Sequence, residues 1–322
     1  MSWQINLADG FSTTSELLQF LNLPVTLSHQ QAEQHFKTRV PREFAQRMER
    51  GNPLDPLLLQ VLAQRQELTK DASFTTDPLH EKEANLIPGL IHKYATRVLL
   101  TFTGTCAVHC RYCFRQHFPY KENNIGRQGW DKILAYLHKD PSIHEVILSG
   151  GDPMLATDSS FNLFLTQLET IPHITTLRLH SRVPVVLPER LTQPWLARLS
   201  ASRFHKVMVL HTNHPNELTP AVATGCLALK KAGFHLLNQS VLLKQVNDSA
   251  ATLAELSLKL FEFGVLPYYL HLLDKVQGAA HFDIPLEIAL DLYRDLQKKL
   301  PGYLVPRLAK EEFGKRHKTL FV

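Results

Sequence analysis

Four cysteines in 322 residues are too few to staple a domain of this size with disulfides. No run reaches the roughly 18–20 apolar residues that span a bilayer. The opening Met-Ser-Trp-Gln-Ile-Asn lacks the basic start and apolar stretch of a signal peptide. Together these absences predict a soluble, cytoplasmic protein with no membrane partner. An excess of one charge is missing too: 35 basic against 30 acidic residues leave only +5. The basic residues are spread along the chain, whereas nucleic-acid binders cluster them, so no nucleic-acid partner is expected. Even the densest charge run, Lys310 to Lys318, is mixed in sign. Neither low-complexity segments nor internal repeats occur, and collagen-like, disordered and disulfide-scaffold classes fall away.

What is present is an ordinary globular composition, 44% hydrophobic and 20% charged, in a length that permits one large α/β domain or two smaller ones. Residues 1 to about 90 read as helical. Ser28 with Gln31 forms a capping box that opens an amphipathic stretch through Phe36. Pro41 begins a second helix carrying Phe44 and Met48, and Leu57 to Leu68 continue the pattern. From Arg97 onward the regime changes to short β-type runs alternating with helices. The predicted strands are Val98–Phe102, Glu145–Leu148, Thr176–His180, Lys206–Leu210, Leu236–Leu243 and Tyr268–Leu273. Their apolar character predicts strands buried on both faces, as in a parallel sheet. Thr219-Pro220 opens one intervening helix that Gly233 closes, and Thr192 opens another. Six strand–helix repeats mean a (β/α) barrel or a doubly wound sheet, and their spacing does not choose between the two. In either case chemistry sits where strands end.

The first such end carries Cys106, Cys110 and Cys113 in a C-x3-C-x2-C spacing. Three thiolates on one loop can hold three irons of a [4Fe–4S] cube and leave the fourth open to a ligand. A structural zinc site with His109 is the alternative, but adjacent His109 and Cys110 are poorly placed to bind one ion. Cys226 falls inside a predicted helix and reads as core. At the second strand end, Gly150-Gly151-Asp152 either lets the backbone approach a ligand closely or is a plain turn. His180, Ser181, His211 and Gln239 are polar groups at or within apolar strands. Each costs about 1–3 kcal/mol unless it finds a partner, so together they point to a lined cavity.

The cysteine motif after a strand resembles the radical S-adenosylmethionine (SAM) superfamily. The fuller set CAVHCRYCFR, LSGGDPML, HSRVPVVLPERL, TNHPNE, NQSVLL, VND, LPYYLHLLD, HF and the terminal KTL is similar to the lysine 2,3-aminomutase family. Within it, the likeness is to the branch that makes β-lysine for modifying elongation factor P. The resemblance runs from about Phe36 to Lys318. It implies a partial (β/α)6 TIM-type barrel over residues 91–300, a helical N-terminal domain over 1–90 and a C-terminal segment over 301–322.

The resemblance also implies site roles. Cys106, Cys110 and Cys113 would hold the cluster. Gly150, Gly151 and Asp152 would meet the SAM amino group, with Ser181, His211 and Gln239 on the SAM side. Pyridoxal phosphate (PLP) would be carried on Lys318, twelve residues after Pro306, with Lys315 and Lys275 as competitors. Its phosphate would face Lys93, Tyr94 and Arg97, two cations and a hydroxyl expected within one helical turn; Lys93 stands where the family often has arginine. Arg115 would pair the substrate carboxylate. Asp274, placed at the end of the sixth strand, and Glu311 would take the distal ammonium. Two departures stand out: Glu311 replaces an aspartate, and Phe313-Gly-Lys-Arg-His replaces the family's glycine-rich run before the lysine.

The implied activity is that of an isomerase converting free L-α-lysine into (R)-β-lysine, fed by an external electron donor and handing its product to a ligase that modifies elongation factor P. Val322, four residues after Lys318, fits that branch. A catabolic lysine 2,3-aminomutase, a radical SAM enzyme without PLP, and an iron–sulfur or zinc binding protein are the alternatives.

Overall fold

Apolar residues at every second position build the sheet in a computed structural model, which describes residues 3–123 and 125–321. Ten strands are hydrogen-bonded in sequence order: β1 (Asn85–Ile87), β2 (Leu90–Tyr94), β3 (Arg97–Thr103), β4 (Glu145–Gly150), β5 (Thr176–Ser181), β6 (His205–His211), β7 (Phe234–Val241), β8 (Leu266–His271), β9 (Arg307–Lys310) and β10 (Thr319–Phe321). Strands β3 to β9 run parallel, and β1–β2–β3 and β9–β10 are antiparallel.

Six short helices precede the barrel: α1 (Trp3–Ala8), α2 (Thr14–Phe20), α3 (Gln30–His35), α4 (Arg42–Ala45), α5 (Pro56–Leu59) and α6 (Glu81–Ala84). Helix α7 (Gly126–Lys139) follows β3 and α8 (Asp158–Glu169) follows β4. A single turn, α9 (Val183–Val186), and then α10 (Gln193–Ser200) follow β5. Helices α11 (Pro220–Lys231), α12 (Ala250–Glu262) and α13 (Leu286–Lys299) complete the remaining units. A doubly wound sheet needs a reversal of strand order, and this order never reverses. The architecture is therefore the partial (β/α)6 barrel, with a hairpin at each end. No helix among the described residues is long and apolar enough to cross a membrane.

The strands do not have two apolar faces, contrary to the expectation. Leu100, Val146, Leu148, Leu177 and Leu179 point outward and are fully covered. Their neighbours Glu145, Ser149, Arg178 and His180, with Arg97, line a central cavity. Strand β8 ends at His271, two residues earlier than predicted, so Asp274 lies three residues beyond it rather than at its end.

Capping explains where the outer helices start. Thr157, Thr219 and Ser249 accept the backbone N–H three residues on, at 3.2, 3.5 and 3.1 Å, each worth about 1 kcal/mol. Gly233 follows α11 at φ +85°, a conformation that suits glycine alone. Thr192 precedes α10 as expected, but its hydroxyl is buried and makes no cap. The Ser28 capping box does not form: Ser28 Oγ donates back to the Val25 carbonyl at 2.8 Å, and α3 starts at Gln30. The expected helix from Leu57 to Leu68 is instead α5 plus a 3-10 turn at Arg65–Leu68.

One hydrophobic cluster joins Leu17, Leu18, Phe44 and Leu57 to Val146, Phe161 and Cys226 of the barrel. Residues 3–62 thus wrap the barrel through a shared core. A fully buried ion pair of Arg111 with Glu67 ties this segment to the cysteine loop. The Arg111 guanidinium also donates to the Phe36 and Ala32 carbonyls.

Candidate active site

The half-barrel encloses a cavity of about 710 Å³. The β9–β10 hairpin closes one side of it. Thr319 pairs with Lys310 across that hairpin, and the next opposed positions are Lys318 and Glu311. Lys318 Nζ donates to Glu311 Oε2 at 2.5 Å, and Tyr94 Oη donates to Glu311 Oε1 at 2.7 Å. Burial opposes the charge on Glu311, yet the Lys318 ammonium and the Tyr94 hydroxyl hold its carboxyl below the usual range. Lys315 instead bonds Glu312 and Thr319 on the surface, and Lys275 lies 3.8 Å from Asp283. Of these three lysines, Lys318 is the one that lines the cavity.

Lys93, Tyr94 and Arg97 do not share a helical turn. They lie on the β2–β3 hairpin, where Tyr94 and Arg97 are cross-strand partners. The reason is local: Pro88-Gly89, with Gly89 at φ +87°, turns β1 into β2, and the two-residue turn Ala95-Thr96 then returns β2 into β3. The Arg97 guanidinium sits 4.0 Å from the centre of the Tyr94 ring, and Lys93 Nζ donates to the Leu79 carbonyl at 2.8 Å.

Charges around the cavity are mostly paired. Arg115 meets Glu81 at 2.6 Å, Arg178 meets Glu145 at 2.6 Å and Lys318 meets Glu311 at 2.5 Å. Among the described residues, Lys93 and Arg97 have no carboxylate partner, and Asp274 has no cation partner. Burial pushes the Asp274 carboxyl up to about 7, against the pull of Lys318. His211 and His271 are both pushed down to about 3, first by burial, and His180 is lowered as well. These rings are neutral near pH 7 and can accept as well as donate. Gln239 Nε2 lies 3.0 Å from His211 Nε2, so these two expected residues meet on the cavity wall.

Arg115 also lines the cavity, but it is already engaged. Nε and Nη2 donate to Glu81 at 2.7 and 2.6 Å, and Nη1 donates to Ser149 Oγ at 2.9 Å. A guanidinium has five N–H donors, so two remain for a ligand. Glu81 was missed by sequence reasoning because it sits in a polar stretch, Leu-His-Glu-Lys-Glu, that reads as surface. The signal for Arg178 and Glu145 was available: both are charged residues at the start of or inside otherwise apolar strands.

The three cysteines of the motif are half-buried and unbridged. Burial, then the neighbouring thiols, push Cys106 upward, and burial with Cys110 brings Cys113 to about 12. The thiols are near enough to raise one another, yet no three His, Cys, Asp or Glu side chains among the described residues converge on a single-ion site. His109 stacks on Phe36 and its Nδ1 bonds the Lys37 carbonyl at 2.7 Å. With His109 turned to Phe36 and Lys37, three half-buried, unbridged cysteines on one loop suit a cube better than a zinc tetrahedron.

The Gly150-Gly151-Asp152 motif packs against the cysteine loop. Its close approach is to the cysteine loop's own backbone. Gly151 N donates to Thr103 O at 2.6 Å, and Asp152 N donates to Thr105 O at 2.7 Å. A Cβ on Gly151 would lie 2.7 Å from Thr105 N, and one on Gly150 would lie 2.8 Å from Thr103 O. Asp152 is saturated by Ser181 Oγ at 2.7 Å and by the backbone N–H groups of Met154, Arg182 and Val183. Asp152 and Ser181 therefore brace β4 against β5 rather than facing the cavity. Gly151→Ala should force the cysteine loop away, at about 1–3 kcal/mol. Lowered iron and sulfide uptake with a reduced Tm is the expected result, and normal uptake would contradict it.

Comparisons with known proteins agree with this geometry. A family model described as a 4Fe-4S single cluster domain matches residues 94–177. A curated protein named L-lysine 2,3-aminomutase from Escherichia coli (strain K12) is 48% identical over 320 residues, covering 98% of this chain and 93% of that protein. Its namesake from Haemophilus influenzae is 48% identical over 322 residues, covering 99% and 95%. The one from Clostridium subterminale is 33% identical over 323 residues, covering 98% and 77%. Among solved structures, a radical SAM methyltransferase from Sphaerobacter thermophilus aligns at 16% identity and a TM-score of 0.49, over 69% of this chain and 68% of that one. The cysteine loop, the cavity and near-complete alignment at 48% identity lead to one conclusion: the chain belongs to the L-lysine 2,3-aminomutase family of isomerases.

Proposed function

We propose that the chain converts free L-α-lysine into (R)-β-lysine with a [4Fe–4S] cluster, SAM and PLP, and that the product modifies elongation factor P. The pattern of unpaired charge in the cavity carries this reading. Lys93 and Arg97, beside the Tyr94 hydroxyl, are cations without carboxylates and suit a phosphate. Lys318 supplies an amine on the same cavity, and Asp274 supplies an acid without a cation, as a distal ammonium requires. Arg115 keeps two donors for a carboxylate. Cys106, Cys110 and Cys113 would hold the cluster.

When bound, these groups supply hydrogen-atom abstraction and carry the migrating nitrogen. The chain's own part is to orient and to exclude water. Arg115 and Asp274 would fix the two ends of lysine. His180, His211 and His271 stay neutral and add no charge that would repel its ammonium groups. Leu237 and Val207 close the wall between them.

The elongation factor P role rests on the resemblance of the sequence motifs to the branch that makes β-lysine for that factor. An external electron donor and a ligase are the partners this role requires. Anaerobically reconstituted protein should form β-lysine from free lysine, and cells lacking the chain should lose the β-lysyl mass from elongation factor P. Turnover only with lysine on a carrier protein would overturn the free-substrate reading.

Lysine binding should also depend on pH. Among the described residues Asp274 is the cavity carboxylate without a cation partner, and burial pushes it up to about 7. Affinity should fall as pH drops through that value, by up to about tenfold per unit. Calorimetric titration of lysine between about pH 6 and about pH 8 checks this, and a flat profile would contradict the assignment.

A further inference from the structure

Of the three clustered thiols, Cys110 alone receives a side-chain hydrogen bond among the described residues, and the donor is a buried guanidinium. Arg182 Nη1 lies 2.7 Å from Cys110 Sγ and 2.6 Å from Tyr112 Oη. Arg182 is 5% exposed, and its charge is answered by Glu217 alone, 2.9 Å from Nη2 on the side away from the sulfur. Gln60 Oε1 accepts from the same Nη2 at 2.7 Å. Glu217 Oε1 is in turn held by the backbone N–H of Asn213 at 3.0 Å and by Gln60 Nε2 at 3.2 Å. The guanidinium is thus fixed from both sides and points one face at one sulfur.

We propose that Arg182 tunes the cluster's reduction potential, its fixed positive charge and N–H···S bond at Cys110 favouring the reduced cluster. Reduction adds negative charge shared onto the ligand sulfurs, and a buried cation with a hydrogen bond stabilises that charge more than the oxidised state. Glu217 opposes this effect through its own charge while holding the guanidinium in place. Gln60, on the segment just after α5, gives the N-terminal wrap a part in the same tuning. Arg182 is a positioning residue, since it touches a ligand sulfur and lies apart from the substrate cavity. The inference rests on the cluster reading of the three cysteines.

The test is a potentiometric titration of the reconstituted chain without SAM, followed by electron paramagnetic resonance, with iron and sulfide counted in each sample. In Arg182→Met the reduced fraction at a fixed potential should fall about tenfold, a midpoint more negative by about 59 mV for one electron. In Glu217→Gln the guanidinium loses its opposing charge, and the midpoint should move positive. A merely structural role would cost cluster content in both and would not produce shifts of opposite sign. An unchanged midpoint in a fully loaded Arg182→Met chain overturns the proposal, as does a zero or negative shift in Glu217→Gln. Where Arg182→Met retains no cluster, Glu217→Gln decides alone. A wild-type chain that binds no iron and sulfide would remove the cluster reading itself, a result distinguishable from either shift.

Discussion

Lys318→Ala should lose borohydride-sensitive pyridoxal absorbance and β-lysine formation together, with turnover down on the order of 10³-fold or more. The loss has a simple origin. Lys318 is the amine held on the cavity wall by Glu311, whereas Lys315 and Lys275 are engaged with surface carboxylates. Iron and sulfide content should not change. The cysteine loop is anchored through Arg111–Glu67 and through Gly151 and Asp152 to Thr103 and Thr105, none of which touches the β9–β10 hairpin. Full turnover by the variant would reject the pyridoxal assignment. Loss of the cluster together with turnover would mean that the two halves of the site are coupled in a way these contacts do not provide.

Asp274→Ala should weaken lysine more than any other single change on the cavity wall. Glu311 cannot replace it, because its two oxygens are taken by Lys318 and Tyr94. Leaving a buried ammonium without its acid costs about 3 kcal/mol, or roughly 100-fold in KM. The control is norleucine, which lacks the distal amine and should bind the variant and the wild type alike. Unchanged lysine affinity in the variant would reject the ammonium role.

Much of this was legible from sequence because the relevant signals are local. Strands β3 to β8 announce themselves through runs such as Val98-Leu-Leu and Val207-Met-Val-Leu, flanked by polar turns. The cysteine spacing and the convergence of His211 with Gln239 needed only the rule that strand ends meet. What was illegible depends on partners distant in the chain. Arg115 finds Glu81, 34 positions away, and Cys110 finds Arg182, 72 positions away. No local pattern encodes either meeting. Ser28 failed for the opposite reason: its hydroxyl has a nearer acceptor in the Val25 carbonyl than the helix it was expected to cap. Asp152 and Ser181 show a third limit. Composition marks them as polar groups needing partners, but not that they satisfy each other.

The strictly sequential strand order has a consequence for assembly. Each strand pairs only with its neighbours in the chain, so the sheet can grow by adding one edge at a time as the polypeptide emerges. The cysteine loop between β3 and β4 can settle before β7 to β10 are made, once Arg182 and Glu217 are in place. Lys318, carried on the final hairpin, reaches Glu311 and Tyr94 only once β9 has docked on β8. The thiol half of the site is therefore an early product of folding and the amine half a late one.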